Sequence, residues 1–122
     1  MPGTRMPKVE RELITVTAST TLSYWDANKT ICNVGASGAV TITLPDPATV
    51  PIGSDLIILS CADQNLIVSC ASKLITLNNA TATSVALQTT SEKLGGGFRL
   101  TAVGAKWHVA ILCEETQTVT VA

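Results

Sequence analysis

Between residues 38 and 60 the hydrophobic pattern of the chain changes twice. Val40, Ile42 and Leu44 alternate with Thr41 and Thr43. That period of two predicts a strand with three aliphatics on one face and two hydroxyls on the other. Pro45 and Pro47 end it, because neither can donate to a sheet ladder. Pro51 and Gly53 close a connecting loop. Leu56 to Leu59 then forms an unbroken apolar run, which predicts an inner strand covered on both sides.

The same alternation, shorter, marks the rest of the chain. Strands are predicted at 13–17, 20–23, 30–34, 66–70, 74–77, 84–87, 98–103, 107–113 and 116–121. Gly35 to Gly38 predicts a hairpin joining 30–34 to the 40–44 strand. Asn78-Asn79 predicts a turn that uses positive φ. Eight to eleven short strands, turn signals every 8–12 residues and no helical stretch predict an all-β domain, a single-domain β-sandwich or barrel. No period is strict enough to predict a solenoid or propeller.

Composition narrows this picture. A chain of 122 residues has room for one domain with one core. The predicted core includes Val40, Ile42, Leu44, Leu56, Ile58 and Trp107. Residues 1–12 contain two prolines, one glycine and five charges, and read as an N-terminal arm on a domain at 13–122. Only 14% of residues are charged, and between residues 14 and 91 only Asp26, Lys29, Asp46, Asp55, Asp63 and Lys73 are. So few charges imply that part of the surface is buried in an oligomer. A net charge of −1 gives no field to collect nucleic acid or an acidic membrane. No run approaches the ~18 apolar residues of a membrane helix, and the first residues lack a signal-peptide core, so assembly in a cytosol is expected.

Candidate chemistry is sparse. Cys32, Cys61, Cys70 and Cys113 form no C-x-x-C pair and have no clustered histidine, so no zinc site is expected. Were 62–65 a hairpin tip, with Cys61 opposite Leu66 and Cys70 opposite Ile57, the two sulfurs would stand roughly 13 Å apart along the strand, too far for a disulfide. Reduced, space-filling thiols are the expectation. Gly95-Gly96-Gly97 lacks the Lys-Ser/Thr of a phosphate loop and reads as a flexible turn. His108, the only histidine, faces away from Trp107 and Val109 and has no marked nucleophile. The aspartates fall at predicted turns, where they can accept backbone N–H bonds, and no calcium-loop pattern appears. No catalytic residue, metal or cofactor is expected. Tyr24 and Trp25 are adjacent and read first as a core or subunit contact, with sugar stacking, together with Trp107, as the alternative.

Four stretches carry a resemblance: 26–34 (DANKTICNV), 38–45 (GAVTITLP), 50–53 (VPIG) and 104–109 (GAKWHV). Together they resemble small β-domains of tailed-phage virion proteins, namely capsid decoration (cement) proteins and tail-fibre or tailspike segments. The resemblance covers about residues 13–113. It implies a β-sandwich or jelly-roll-like fold, a homotrimer and no catalytic residues. The four cysteines and the lack of a repetitive shaft depart from the pattern, and the missing shaft favours a decoration protein over a fibre. The implied partners are further copies of the chain and a major capsid protein, with no nucleic acid or membrane. The implied location is the capsid surface, with host cytoplasm during assembly. Arg5, Met6, Pro7, Lys8, Val9 and Arg11 of the arm are the candidate capsid contacts. A tail-appendage role in host attachment, or a carbohydrate-binding module, is the alternative.

Overall fold

A computed structural model describes residues 11–122 of the chain. Ten strands form one all-β domain: β1 (Leu13–Thr15), β2 (Thr20–Thr21), β3 (Thr30–Cys32), β4 (Val40–Thr43), β5 (Asp55–Leu59), β6 (Leu66–Thr76), β7 (Asn79–Leu87), β8 (Gly97–Ala102), β9 (Trp107–Leu112) and β10 (Thr120–Val121). The strands hydrogen-bond in the order β1-β3-β5-β8-β9-β6-β4-β2, and β7 joins β6 to β10. Two 3-10 turns, Tyr24–Asp26 and Pro47–Thr49, interrupt the connections.

The alternation read from the sequence becomes register. Ile14, Ile31, Ile58, Phe98 and Ile111 stand opposite one another across β1, β3, β5, β8 and β9. Ile42, Val68, Val85 and Val121 do the same across β4, β6, β7 and β10. Both rows belong to one buried cluster or pack against it, so the sheet folds over and its two halves face each other. Each fully buried aliphatic contributes about 1.5–3 kcal/mol, and the rows keep these contributions contiguous. Val40, Ile42, Leu56, Ile58 and Trp107 are 0% exposed and Leu44 is 4% exposed.

Connectivity differs from the expected jelly-roll-like pattern. Strands β1, β3 and β5 pair in parallel in one half, and β2, β4 and β6 pair in parallel in the other. Successive strands therefore cross between layers, as in a short solenoid. The sequence hides this because the coils are unequal: Leu13 pairs Thr30 and Thr30 pairs Ile57, a step of 17 residues and then of 27. The predicted hairpin between 30–34 and 40–44 is accordingly absent. The 33–39 connection carries the chain from one layer to the other, so β3 and β4 present their apolar faces to a common core. The same crossing removes the hairpin with its tip at 62–65, because β5 and β6 lie in different halves. Strand β5 is central, but only Leu56 and Ile58 are buried; Ile57 and Leu59 stay half-exposed on the outer face.

True hairpins follow. Strand β6 runs unbroken where two strands were expected, and a bulge at Ser72 (φ 57°) accommodates the irregularity. It turns into β7 through Leu77 and Asn78, both at positive φ. Two residues at positive φ match the twist of the strands they join. Residues 95–97 are also more constrained than a flexible turn. A Cβ on Gly97 would lie 2.3 Å from the Ile58 carbonyl oxygen, and one on Gly96 would lie 2.8 Å from Leu87 Cδ1. Gly97 lets β8 approach β5 closely, and Gly96 leaves room for Leu87 of β7.

Strand β9 closes the structure. Its start pairs in parallel with β6 through Leu74–Trp107 and Ile75–His108, which joins the two halves. The Trp107 indole N–H donates to the Pro45 carbonyl at 3.0 Å. The proline loop is thus tied to the last long strand. Within it, Asp46 accepts from Ala48 N at 3.0 Å and pairs with Lys73 Nζ at 3.0 Å.

Trp107→Ala should lower stability by about 3–5 kcal/mol in urea unfolding. Trp107→Phe, which leaves the Pro45 carbonyl only the long Cys70 Sγ–H contact at 4.0 Å, should cost about 1–3 kcal/mol. A loss below about 1 kcal/mol for the alanine variant would contradict the buried placement.

Gly97→Ala forces β5 and β8 apart and should cost more than about 2 kcal/mol. Gly38→Ala meets nothing within 4 Å and should stay within about 0.5 kcal/mol of the parent. Equal effects in the two variants would show that the close approach at Gly97 is not a constraint.

Candidate functional site

The features that could carry function lie at the two ends and on the outer faces of the folded sheet. At one end, the loops preceding β3 and β5 and the β8–β9 turn come together. Gly53 N donates to Ala102 O, and Asn28 N to Asp55 O at 2.7 Å. The Tyr24–Asp26 turn is held by its own acid: Ser23 N donates to Asp26 Oδ2 at 2.8 Å, and Lys29 lies 3.6 Å from Asp26 Oδ1. The turn presents Tyr24 and Trp25 edge to face, with ring centres 5.2 Å apart. Trp25 is 79% exposed, so it is not a core residue, and Ile52 on the neighbouring loop is 80% exposed. A shallow cleft of about 210 Å³ runs between Tyr24, Trp25, Ala27, Asn28, Pro51 and Ser54.

Beside this end, Asp55 gathers two cations. Arg11 Nη2 reaches Asp55 Oδ1 at 2.9 Å, and Arg99 Nη2 reaches Asp55 Oδ2 at 3.0 Å. Arg11 also donates to Thr30 Oγ1 and to the Lys29 carbonyl. Arg11, one of the candidate capsid contacts near the end of the expected arm, is therefore engaged by the body of the domain. Glu12 O accepts from Thr30 N. Arg5, Met6, Pro7, Lys8 and Val9 lie outside the described residues.

At the opposite end a polar cleft of about 590 Å³ is lined by Asp63, the 91–95 loop, Glu114, Thr116 and Gln117. Gln117 ties its walls, with Nε2 donating to Leu94 O at 2.9 Å and Oε1 accepting from Glu114 N at 3.1 Å. Thr118 Oγ1 donates to Glu92 Oε1. The carboxylates are spread along the cleft, and no group of three metal-ligating side chains occurs among the described residues.

The outer face of the second half is different again. Two register rows cross it: Thr21, Thr43, Ser69 and Ser84, and Thr41, Ile67, Ala86 and Thr120. Neither row holds a charged residue. The first half's outer face, by contrast, carries Asp55 and Arg99.

The nucleophiles are poorly placed for chemistry. The four cysteines are free thiols. Burial raises the pKa of Cys61, with a smaller contribution from Cys32 nearby, and burial also raises that of Cys70. Both therefore remain protonated at neutral pH. His108 is exposed between buried Trp107 and Val109, as its alternation predicts. Asp46 is held below the usual carboxylate range, first by the Ala48 backbone N–H and then by Lys73. Asp26 and Asp46 accept backbone N–H bonds as expected of turn aspartates, whereas Asp55 is an ion-pair centre that no local pattern marks. Arg11 and Asp55 are separated by 44 positions, and only the parallel crossing between layers brings them together.

The fold and these surfaces define an all-β, single-domain protein with exposed aromatic, polar and charge-free surfaces. The chain matches no family model and no curated relative.

Iodoacetamide on the native protein should modify exposed Cys61 first, at a rate still climbing above pH 9, while Cys32 and Cys70 react only after unfolding. A rate plateau below about pH 8 would instead mark an activated thiolate.

Proposed function

We propose that the protein is a non-enzymatic virion component: a homotrimeric capsid decoration (cement) protein that binds the outer surface of a phage head and stabilises it. The observation that carries this reading is the pair of charge-free rows on the outer face of the second half, Thr21, Thr43, Ser69 and Ser84, and Thr41, Ile67, Ala86 and Thr120; Lys73, further along β6, lies outside both rows and is paired with Asp46. Interface centres are depleted of charge, and a flat face of Thr, Ser, Ala and Ile can be buried against its copies without stranding an ion. The resemblance to phage virion β-domains supplies the trimer and the head. A trimer matches a three-fold or local three-fold position by symmetry, so each chain meets an equivalent capsid subunit. Three weak contacts then act at high effective concentration, which suits a chain with few free charges. Since Arg11 is engaged by Asp55, the gripping role falls to Arg5, Met6, Pro7, Lys8 and Val9. The major capsid protein is the partner; no cofactor takes part.

Light scattering at micromolar concentration should give three chains. Ile67→Arg, in one of the charge-free rows, should leave a folded monomer. Mixed with undecorated heads, full-length trimer should co-sediment and raise the heads' melting temperature. A variant lacking residues 1–9 should remain trimeric but bind poorly. A stable monomer at the start would overturn the assembly, and binding to tails or host cells but not heads would favour a tail appendage.

A further inference from the structure

We propose that the cleft beside Trp25 binds one uncharged pyranose ring, stacked on the Trp25 indole and hydrogen-bonded by Asn28 and Ser54. Three observations converge on it. First, the aromatic platform is rigid without being packed. Trp25 is 79% exposed, yet its turn is fixed by the Ser23–Asp26 bond, the Asp26–Lys29 pair and the edge-to-face contact with Tyr24. A ring held in place in water offers an apolar face to the C–H face of a sugar at little ordering cost.

Second, polar groups of the right kind line the same cleft. Asn28 Oδ1 accepts from Asp55 N at 3.1 Å, which orients the amide, while its Nδ2 bonds no described residue. Asn28 also sits at φ 63°, a conformation that asparagine tolerates. Ser54 lines the cleft with a hydroxyl that bonds no described residue. An aromatic wall with a few convergent hydrogen-bonding groups is the usual make-up of a small-ligand site.

Third, size and charge restrict the ligand. The cleft, about 210 Å³, is smaller than the roughly 300–1,000 Å³ of sites for drug-sized molecules. That suits a single ring. The nearest charges are already paired: Asp26 with Lys29, and Asp55 with Arg11 and Arg99. An anionic sugar would find no free cation among them, so a neutral one is favoured.

Fluorescence can read this site cleanly. The chain has two tryptophans, and Trp107 is fully buried, so a ligand that quenches exposed emission reports Trp25. The full-length protein is titrated with glucose, galactose, mannose, rhamnose and N-acetylglucosamine, and with glucuronate as the charged control. At least one neutral sugar should quench saturably, with a Kd on the order of millimolar for a single ring. Trp25→Ala should abolish that response. Ser54→Ala should weaken it about fivefold, the loss of one hydrogen bond. Light scattering should show the same oligomeric mass for parent and Trp25→Ala. Absence of quenching by every neutral sugar overturns the proposal, as does quenching that persists in Trp25→Ala or is stronger with glucuronate. A change of oligomeric mass in Trp25→Ala would assign the aromatic end to a contact between chains instead. None of these outcomes depends on whether the protein binds heads.

Discussion

The two halves of the sheet meet at a short seam. Within the sheet, β9 reaches β6 through only two residue pairs, Leu74–Trp107 and Ile75–His108. The Trp107 side chain extends the connection: its ring fills the core, and its N–H reaches the Pro45 carbonyl at the end of β4. One residue therefore touches three parts of the second half, namely β6, the proline loop and the shared core. Were the seam lost, the remaining ladders would stay paired within each half, but the halves would be joined only by their facing apolar rows and the crossing loops. A buried donor–acceptor pair is expensive to break, because both groups would be left without water. That asymmetry makes the seam specific as well as stabilising.

The all-β class, the strand positions and the core were legible because they depend on local alternation. Val40, Ile42 and Leu44 face inward for the same reason that Thr41 and Thr43 do not. What could not be read was which strand lies beside which. Alternation fixes the face of a strand, not its neighbour. The chain from Gly35 to Gly38 has good turn chemistry, yet it serves a crossing between layers and not a hairpin. Unequal coils of 17 and 27 residues then erase the periodicity that would have revealed the parallel winding. The glycines at 95–97 show the converse limit. Their flexibility is a property of the residue type, whereas the close approach of Gly97 to Ile58 and of Gly96 to Leu87 is a property of the neighbouring strands.

The candidate sites divide along the same line. Trp25 reads from the sequence first as a core or subunit contact; its 79% exposure removes the core part of that reading and separates it from buried Trp107. The Asp55 cluster was illegible, since its members come from the chain start, β5 and β8. The exterior is uneven in charge: ions pair across the outer face of the first half at Asp55, whereas in the second half the Lys73–Asp46 pair lies outside the two charge-free rows. Burying those two rows would strand no ion, whereas burying the Asp55 face would desolvate three.

The seam has a consequence for biogenesis. Its closing residue lies late in the chain, so a growing polypeptide completes both parallel ladders before β8 and β9 exist. During that interval β5 and β6 each present an unpaired edge, and the first halves of both apolar rows have no lid. Parallel pairing between distant segments is intrinsically slow, and open edges recruit other chains. The nascent chain is thus most exposed to misassembly while residues 77–106 are being made. Three of its four thiols, Cys32, Cys61 and Cys70, are then already present, so a premature cross-link among them would trap the chain before its seam can close.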